Sequence, residues 1–204
     1  MSIIPWFWLL GNQGNQRTDE DTGLSEIDKY KRKIRKNSNE KINELIGNFS
    51  FEGFNEIFIC LLQNTKYELN IFIDDFDSIF TDESFRYFKY ILNEYKTNGV
   101  KVFLSTFNSK RDDRFVSLEN EFEIFKYLSV SCKNPEELHN FIVSDCKSAW
   151  VEDNISVHYK ITVGNKDKIS SRFIKACVNF NDPIYAAKWL DTMDRVKEIY
   201  KNKN

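Results

Sequence analysis

Between residues 69 and 105 the apolar periodicity of the sequence changes twice, and that change limits the folds open to the chain. Leu69 to Ile73 is a short continuous apolar run, the pattern of a buried strand. Glu83 to Asn98 carries Phe85, Phe88, Ile91, Leu92 and Tyr95 at helical spacing and stops at Asn98-Gly99, a helix C-terminus. Val100 to Ser105 returns to a strand pattern. Strand, helix and strand joined by so short a turn imply a right-handed crossover and parallel pairing. The expected fold is therefore α/β, with a mixed, largely parallel central sheet flanked by helices.

The flanking sequence extends this unit. Phe51, Phe54, Ile57, Phe58, Leu61 and Leu62 fall on one helical face. Phe122 to Leu128 reads as helical, and Ser129 to Ser131 as short and extended. His139 to Asp145 is an apolar run with a His at its entrance and an Asp at its exit, the layout of a central buried strand. Ser148 to Glu152, Ile155 to Val163 and Arg172 to Phe180 read as further strands separated by polar breaks. Asn181-Asp182-Pro183 opens a last helix, with Asp182 as its cap and Ala186, Ala187, Leu190, Met193 and Val196 as its core positions.

A length of 204 residues suits one domain with an N-terminal appendage: 1–24 as an apolar, aromatic segment and polar linker, 25–204 as the domain. Eighteen Phe and nine Tyr, with few Gly and Pro, argue for packed structure over disorder. A net charge of -2 gives no global signal for nucleic acid or membrane, so any such contact needs a local patch. Cys60, Cys132, Cys146 and Cys177 are too scattered for a zinc site. They read as reduced thiols of a cytoplasmic protein, and neither metal nor cofactor is expected.

Ile3 to Leu10 is too short to span a bilayer, which needs about 20 apolar residues. Trp6, Phe7, Trp8 and Leu9 are costly to leave in water, so they are expected against the protein's own core, a partner groove or a membrane surface. Gly11-Asn12-Gln13-Gly14-Asn15-Gln16-Arg17-Thr18 follows, an altered Walker A phosphate loop with Gln16 where Gly belongs and Arg17 where Lys belongs. With Asp74 and Asp75 after the first strand it makes a nucleotide-binding module one reading; helix capping by Asp74 or Asp77 is the other. Lys29, Lys31, Arg32, Lys33, Arg35 and Lys36 form a basic stretch on a thin helical stripe of Ile27, Tyr30, Ile34, Ile42 and Leu45. A solvated helix face and a nucleic-acid contact are its two readings.

The order of strand–helix–strand, then a strand opening with His and closing with Asp, then strands and the helix after Val178-Asn179-Phe180-Asn181-Asp182-Pro183 resembles single-copy members of the phospholipase D superfamily. The likeness spans roughly Phe51 to Tyr200. Active members carry His-x-Lys-x4-Asp, in which the resemblance implies a His nucleophile, a Lys on the phosphate oxygens and an Asp steadying the imidazole, in two copies often from two subunits. His139 matches, but Phe141 stands at the Lys position and Asp145 comes one residue early. His158-Tyr159-Lys160 keeps His and Lys at the right spacing, with Asn165 in place of Asp. The resemblance thus implies a degenerate, non-catalytic domain that binds or regulates, as a homodimer or a subunit of a larger assembly, in some relatives in bacterial defence against phage. The alternative is a metal-independent phosphodiesterase or nuclease using His158 and Lys160.

Overall fold

A computed structural model describes residues 23–73, 80–106, 112–129, 139–152, 157–163, 166–173 and 176–201, of which 157–163, 166–173 and 199–201 are described as backbone alone. In chain order the elements are α1 (Glu26–Glu40), β1 (Ile46–Asn48), α2 (Phe51–Asn64), β2 (Glu68–Phe72), α3 (Asp82–Asn98), β3 (Lys101–Thr106), α4 (Asp113–Glu121) and β4 (Phe125–Ser129). After them come β5 (Phe141–Ser144), β6 (Ser148–Glu152), β7 (Val157–Val163), β8 (Lys166–Phe173), β9 (Ala176–Asn179) and α5 (Pro183–Lys201).

Local chemistry sets the helix ends. Ser25, Ser50 and Thr81 each accept a hydrogen bond from a backbone N–H of the first turn they precede. Asp182 Oδ1 takes the N–H groups of Ile184 and Tyr185, so α5 begins where the Asn-Asp-Pro sequence places it. α3 ends at Gly99, which adopts φ 70° as left-handed C-caps require.

Seven strands form one sheet in the order β1-β9-β6-β5-β2-β3-β4, with β7 and β8 as a separate two-stranded hairpin. β5 is therefore central, as its apolar run implies. The β2–β3 and β3–β4 pairs are parallel, as the strand–helix–strand unit requires. The β1–β9, β9–β6, β6–β5 and β5–β2 pairs are antiparallel, so the sheet is mixed but mostly antiparallel, correcting the largely parallel balance. The cause is local. Asp145-Cys146-Lys147 is a tight turn with φ of 52° at Asp145 and 58° at Cys146, and it folds β6 straight back on β5.

Each face of the sheet has its own core. On one side Leu69, Ile71, Val102, Leu104, Phe125, Tyr127, Ile142 and Trp150 meet the apolar faces of α2 and α3. On the other, Phe72, Leu128, Phe141, Val143, Ala149 and Val151 meet Ala186, Met193 and Val196 of α5. Ala187 is exposed and Leu190 half-buried, so the buried stripe of α5 is narrower than the sequence implies. α1 packs beside α2 across Gly53, where a Cβ would lie 2.8 Å from the Tyr30 ring and 2.7 Å from Asn48 Oδ1.

Two segments differ from expectation. Phe122–Leu128 is not helical: the helix is α4, which stops at Glu121, and Phe125–Ser129 is a strand whose Phe125 and Tyr127 are buried. Arg172–Phe180 is not one strand, since Arg172 and Phe173 close β8 and β9 begins at Ala176.

Candidate functional site

The pairing register brings His139, just ahead of β5, and Glu152, the last residue of β6, to one edge of the sheet. Parallel β2, β3 and β4 all end there, at Phe72, Thr106 and Ser129. Antiparallel β5 starts there, with Phe141 opposite Phe72, and β6 ends there at Glu152. In α/β sheets the carboxyl ends of the strands are where ligands usually lie.

His139 stands half-buried just ahead of β5. Its Nδ1 is 2.9 Å from the carbonyl oxygen of Glu152, an acceptor, so Nδ1 carries the proton and donates it. The neutral ring then keeps an acceptor at Nε2. Trp189 of α5 packs against the imidazole edge to face, with centroids 5.4 Å apart at 70°. Asn140 Nδ2 donates to Glu152 Oε2 at 2.7 Å, and the Glu152 N–H donates to the Asn140 carbonyl at 2.8 Å. Glu152 is 3% exposed, so its backbone carbonyl orients the imidazole while its buried carboxyl group is held by Asn140. Sequence reasoning missed Glu152, although a charge at the end of an otherwise apolar strand was the signal for it.

Phe141, at the position of the phosphate-holding lysine, is 1% exposed. Its ring stacks on Phe72 and lies 5.5 Å from that of Trp189. It is a core residue and offers nothing to a phosphate oxygen.

Asp145 lies at the far end of β5 from His139, roughly 20 Å away at strand rise, so the two do not come together. Its carboxylate accepts the N–H groups of Lys66 at 2.7 Å, Tyr67 at 2.8 Å and Glu68 at 3.0 Å. Its own N–H donates to the Glu68 carbonyl at 2.9 Å. Asp145 thus fastens the chain entering β2 to the β5–β6 turn.

His158 and Lys160 lie on β7, in the hairpin inserted between β6 and β9. His158 pairs in register with Arg172, and Lys160 with Ile169, across a register shift between Tyr159 and Lys160. Asn165 lies outside the described residues, as do Trp6, Phe7, Trp8 and Leu9, the loop Gly11 to Thr18, and Asp74, Asp75 and Asp77.

The basic stretch of α1 is largely paired within the protein. Lys29 meets Glu26 at 2.9 Å, Lys33 meets Glu44 at 2.7 Å, and Arg35 binds both oxygens of the buried Glu56 at 2.6 and 2.8 Å. Among the described residues no helix is long and apolar enough to cross a membrane.

No protein-family model matches the chain, and no curated protein matches it by sequence. Solved structures do share its fold. One is TrmBL2, an archaeal chromatin protein with a novel mode of DNA binding, at a TM-score of 0.50 and 10% identity over 84% of this chain. Another is phosphatidylserine synthase of Haemophilus influenzae Rd KW20, at a TM-score of 0.50 and 13% identity over 81% of this chain. The chain spans 60% of the first and 40% of the second, and at these identities the likeness is one of fold.

Proposed function

We propose that this chain is a non-catalytic phospholipase D-like domain that binds or regulates as a subunit of a larger assembly. The observation that carries the reading is Phe141. Where the active pattern needs a cation on the phosphate oxygens, this chain places an aromatic ring in its core, stacked on Phe72. His139 is oriented by the Glu152 carbonyl, but its strand supplies neither the Lys nor, at the other end, the Asp of the pattern. One fold neighbour is a synthase and another a DNA-binding chromatin protein, so the fold does not choose between catalysis and binding and the side chains must.

The assembly contact is assigned to Trp6, Phe7, Trp8 and Leu9, toward a second copy, a different subunit or a membrane surface. The resemblance extends this role to bacterial defence against phage. Two measurements test the reading. Intact mass after incubation with a phosphodiester and an alkaline, denaturing quench, which preserves the acid-labile N–P bond of a phosphohistidine, should show no adduct carrying the phosphoryl group and its remaining ester; an adduct lost in His158→Ala would instead establish the phosphodiesterase built on His158 and Lys160. Replacing Trp6, Phe7 and Trp8 with Ser should release a co-purifying subunit or dissolve a dimer. Saturable, magnesium-dependent ATP binding lost in Arg17→Ala would favour the altered phosphate loop.

A further inference from the structure

At the edge of the sheet opposite His139 the fold collects lysines that are far apart in sequence. Lys66 precedes β2, and Lys101 opens β3 with its N–H on the Tyr67 carbonyl at 2.9 Å. Lys147 closes the β5–β6 turn, whose Asp145 holds the Tyr67 N–H. Lys41 caps α1 with φ 53°, and the Asn64–Ser38 hydrogen bond sets the end of α1 beside the end of α2. All four side chains are exposed, and none forms an ion pair with a described residue. That reverses α1, where a dense basic run is engaged by Glu26, Glu44 and Glu56.

Two of the nearby acids are already engaged, while Glu123 shares a surface groove with Lys101. Asp145 is satisfied by three backbone N–H groups, and Glu68 pairs with Lys197 at 3.0 Å. Partial burial of the otherwise exposed Lys41 side chain holds its ammonium below its ordinary value; Asp145 opposes this, and Lys66 and Lys147 add to it by repulsion. Tyr67, which follows Lys66 and whose carbonyl accepts the Lys101 N–H, is 73% exposed. Beside Lys66 runs a groove of about 480 Å³ lined by Gln63, Tyr87, Tyr90 and Asn98, with Glu94 its acid. The Tyr87 and Tyr90 rings stack at 6.3 Å, Tyr90 is 58% exposed, and its hydroxyl binds Glu94 at 3.2 Å.

We propose that this amino edge of the sheet, with Lys41, Lys66, Lys101 and Lys147 around Tyr67 and the Tyr87–Tyr90 groove alongside, is a binding surface for single-stranded nucleic acid. Unpaired lysines match a phosphate backbone, and exposed tyrosine faces match unstacked bases, which a duplex does not offer. An anionic membrane would use the same charges, but it favours a continuous apolar patch, and here the aromatic side chains are tyrosines bordered by polar groups. The surface lies at the opposite end of the sheet from His139, so it stands whether or not the domain is catalytic.

The test is fluorescence anisotropy of the 204-residue chain with a labelled single-stranded oligonucleotide, an equal duplex, and phosphatidylglycerol vesicles as competitor. Four phosphate contacts give a log–log salt slope of about -3, a loss of about fiftyfold between roughly 50 and 200 mM salt. Each single Lys→Gln at 41, 66, 101 or 147 should lower affinity about fivefold near roughly 0.1 M salt and flatten the slope by about 0.7. Tyr67→Ala should cost about tenfold and Tyr67→Phe little, since stacking needs the ring and not the hydroxyl. Lys36→Gln, on α1, should change nothing. Absence of binding, equal loss from Lys36→Gln, or vesicle binding that outcompetes the single strand with the same lysine dependence would each overturn the proposal. Single substitutions at exposed lysines leave the core intact, so a negative result cannot be ascribed to unfolding.

Discussion

The rings of Phe141 and Phe72 lie 5.1 Å apart with planes 11° from parallel, joining β5 to β2 at the sheet edge that carries His139. Restoring the pattern by Phe141→Lys should therefore damage the core and create no phosphate site. Phe141→Ala should cost about 3–5 kcal/mol in denaturant titrations, and Phe141→Lys at least as much, since a cation there has no buried partner. A Phe141→Lys protein of unchanged stability that binds phosphate would contradict this.

Asp145 should matter to folding and not to chemistry. Asp145→Ala leaves three backbone N–H groups without their carboxylate and should cost about 3 kcal/mol. Asp145→Asn keeps one carbonyl acceptor and tolerates φ 52°, so about 1–2 kcal/mol is expected. Equal losses from both would show that charge, and not acceptor geometry, holds the turn.

Gly53 should resist the usual rule that alanine favours a helix. Alanine gains about 1 kcal/mol of intrinsic propensity. Its Cβ would nevertheless lie 2.7 Å from Asn48 Oδ1 and 2.8 Å from the Tyr30 ring. Gly53→Ala is expected to lower the unfolding midpoint and to loosen the Tyr30 hydroxyl from the Gly47 carbonyl, which it now meets at 2.9 Å. A raised midpoint would show that α1 can shift away at no cost.

Asp112, the cap of α4, gives the pH dependence. Hydrogen bonds from the Arg114 side chain hold its carboxyl below the usual range against partial burial, and the Arg114 N–H adds to them. Its folded value is therefore depressed. The stabilisation is full above the ordinary carboxylate range and lost as pH falls through the folded value. Asp112→Asn should cost about 0.5–1 kcal/mol near neutrality and progressively less as pH falls below the ordinary carboxylate range. A difference that grows on acidification would contradict the assignment.

The thiols should separate by accessibility. Burial pushes Cys60 up to about 11, with the Glu56 carboxylate adding to it, while Cys146 is exposed on its turn. With a thiol reagent near pH 8, Cys146 should react in the native protein and Cys60 only on unfolding. Equal rates in Cys146→Ala and Cys60→Ala proteins would mean that α2 opens readily.

Periodicity made much of the fold legible. α2, α3, β6 and the start of α5 follow from residues such as Phe54, Phe88 and Asp182, whose local pattern and burial agree. Phe125, Tyr127 and Leu128 misled because a short apolar run suits helix and strand alike, and the parallel pairing with β3 decides it. The mostly antiparallel sheet was hidden in the Asp145–Lys147 turn, whose positive φ values fall on Asp and Cys instead of the usual glycine. His139 and Asp145 looked like one site because they bracket one strand, yet extended backbone carries them to opposite edges. The lysine grouping was unreadable in the sequence, since the register of β2, β3 and β5 sets Lys66, Lys101 and Lys147 at one edge and the Asn64–Ser38 contact adds Lys41 at the end of α1.

The most direct measurement of the central claim is phosphodiester hydrolysis by the 204-residue chain in EDTA, compared with a protein carrying His139→Ala and His158→Ala. The expected result is the same rate for both, indistinguishable from the uncatalysed reaction. Saturable turnover in the unaltered protein, abolished by His158→Ala, would contradict it.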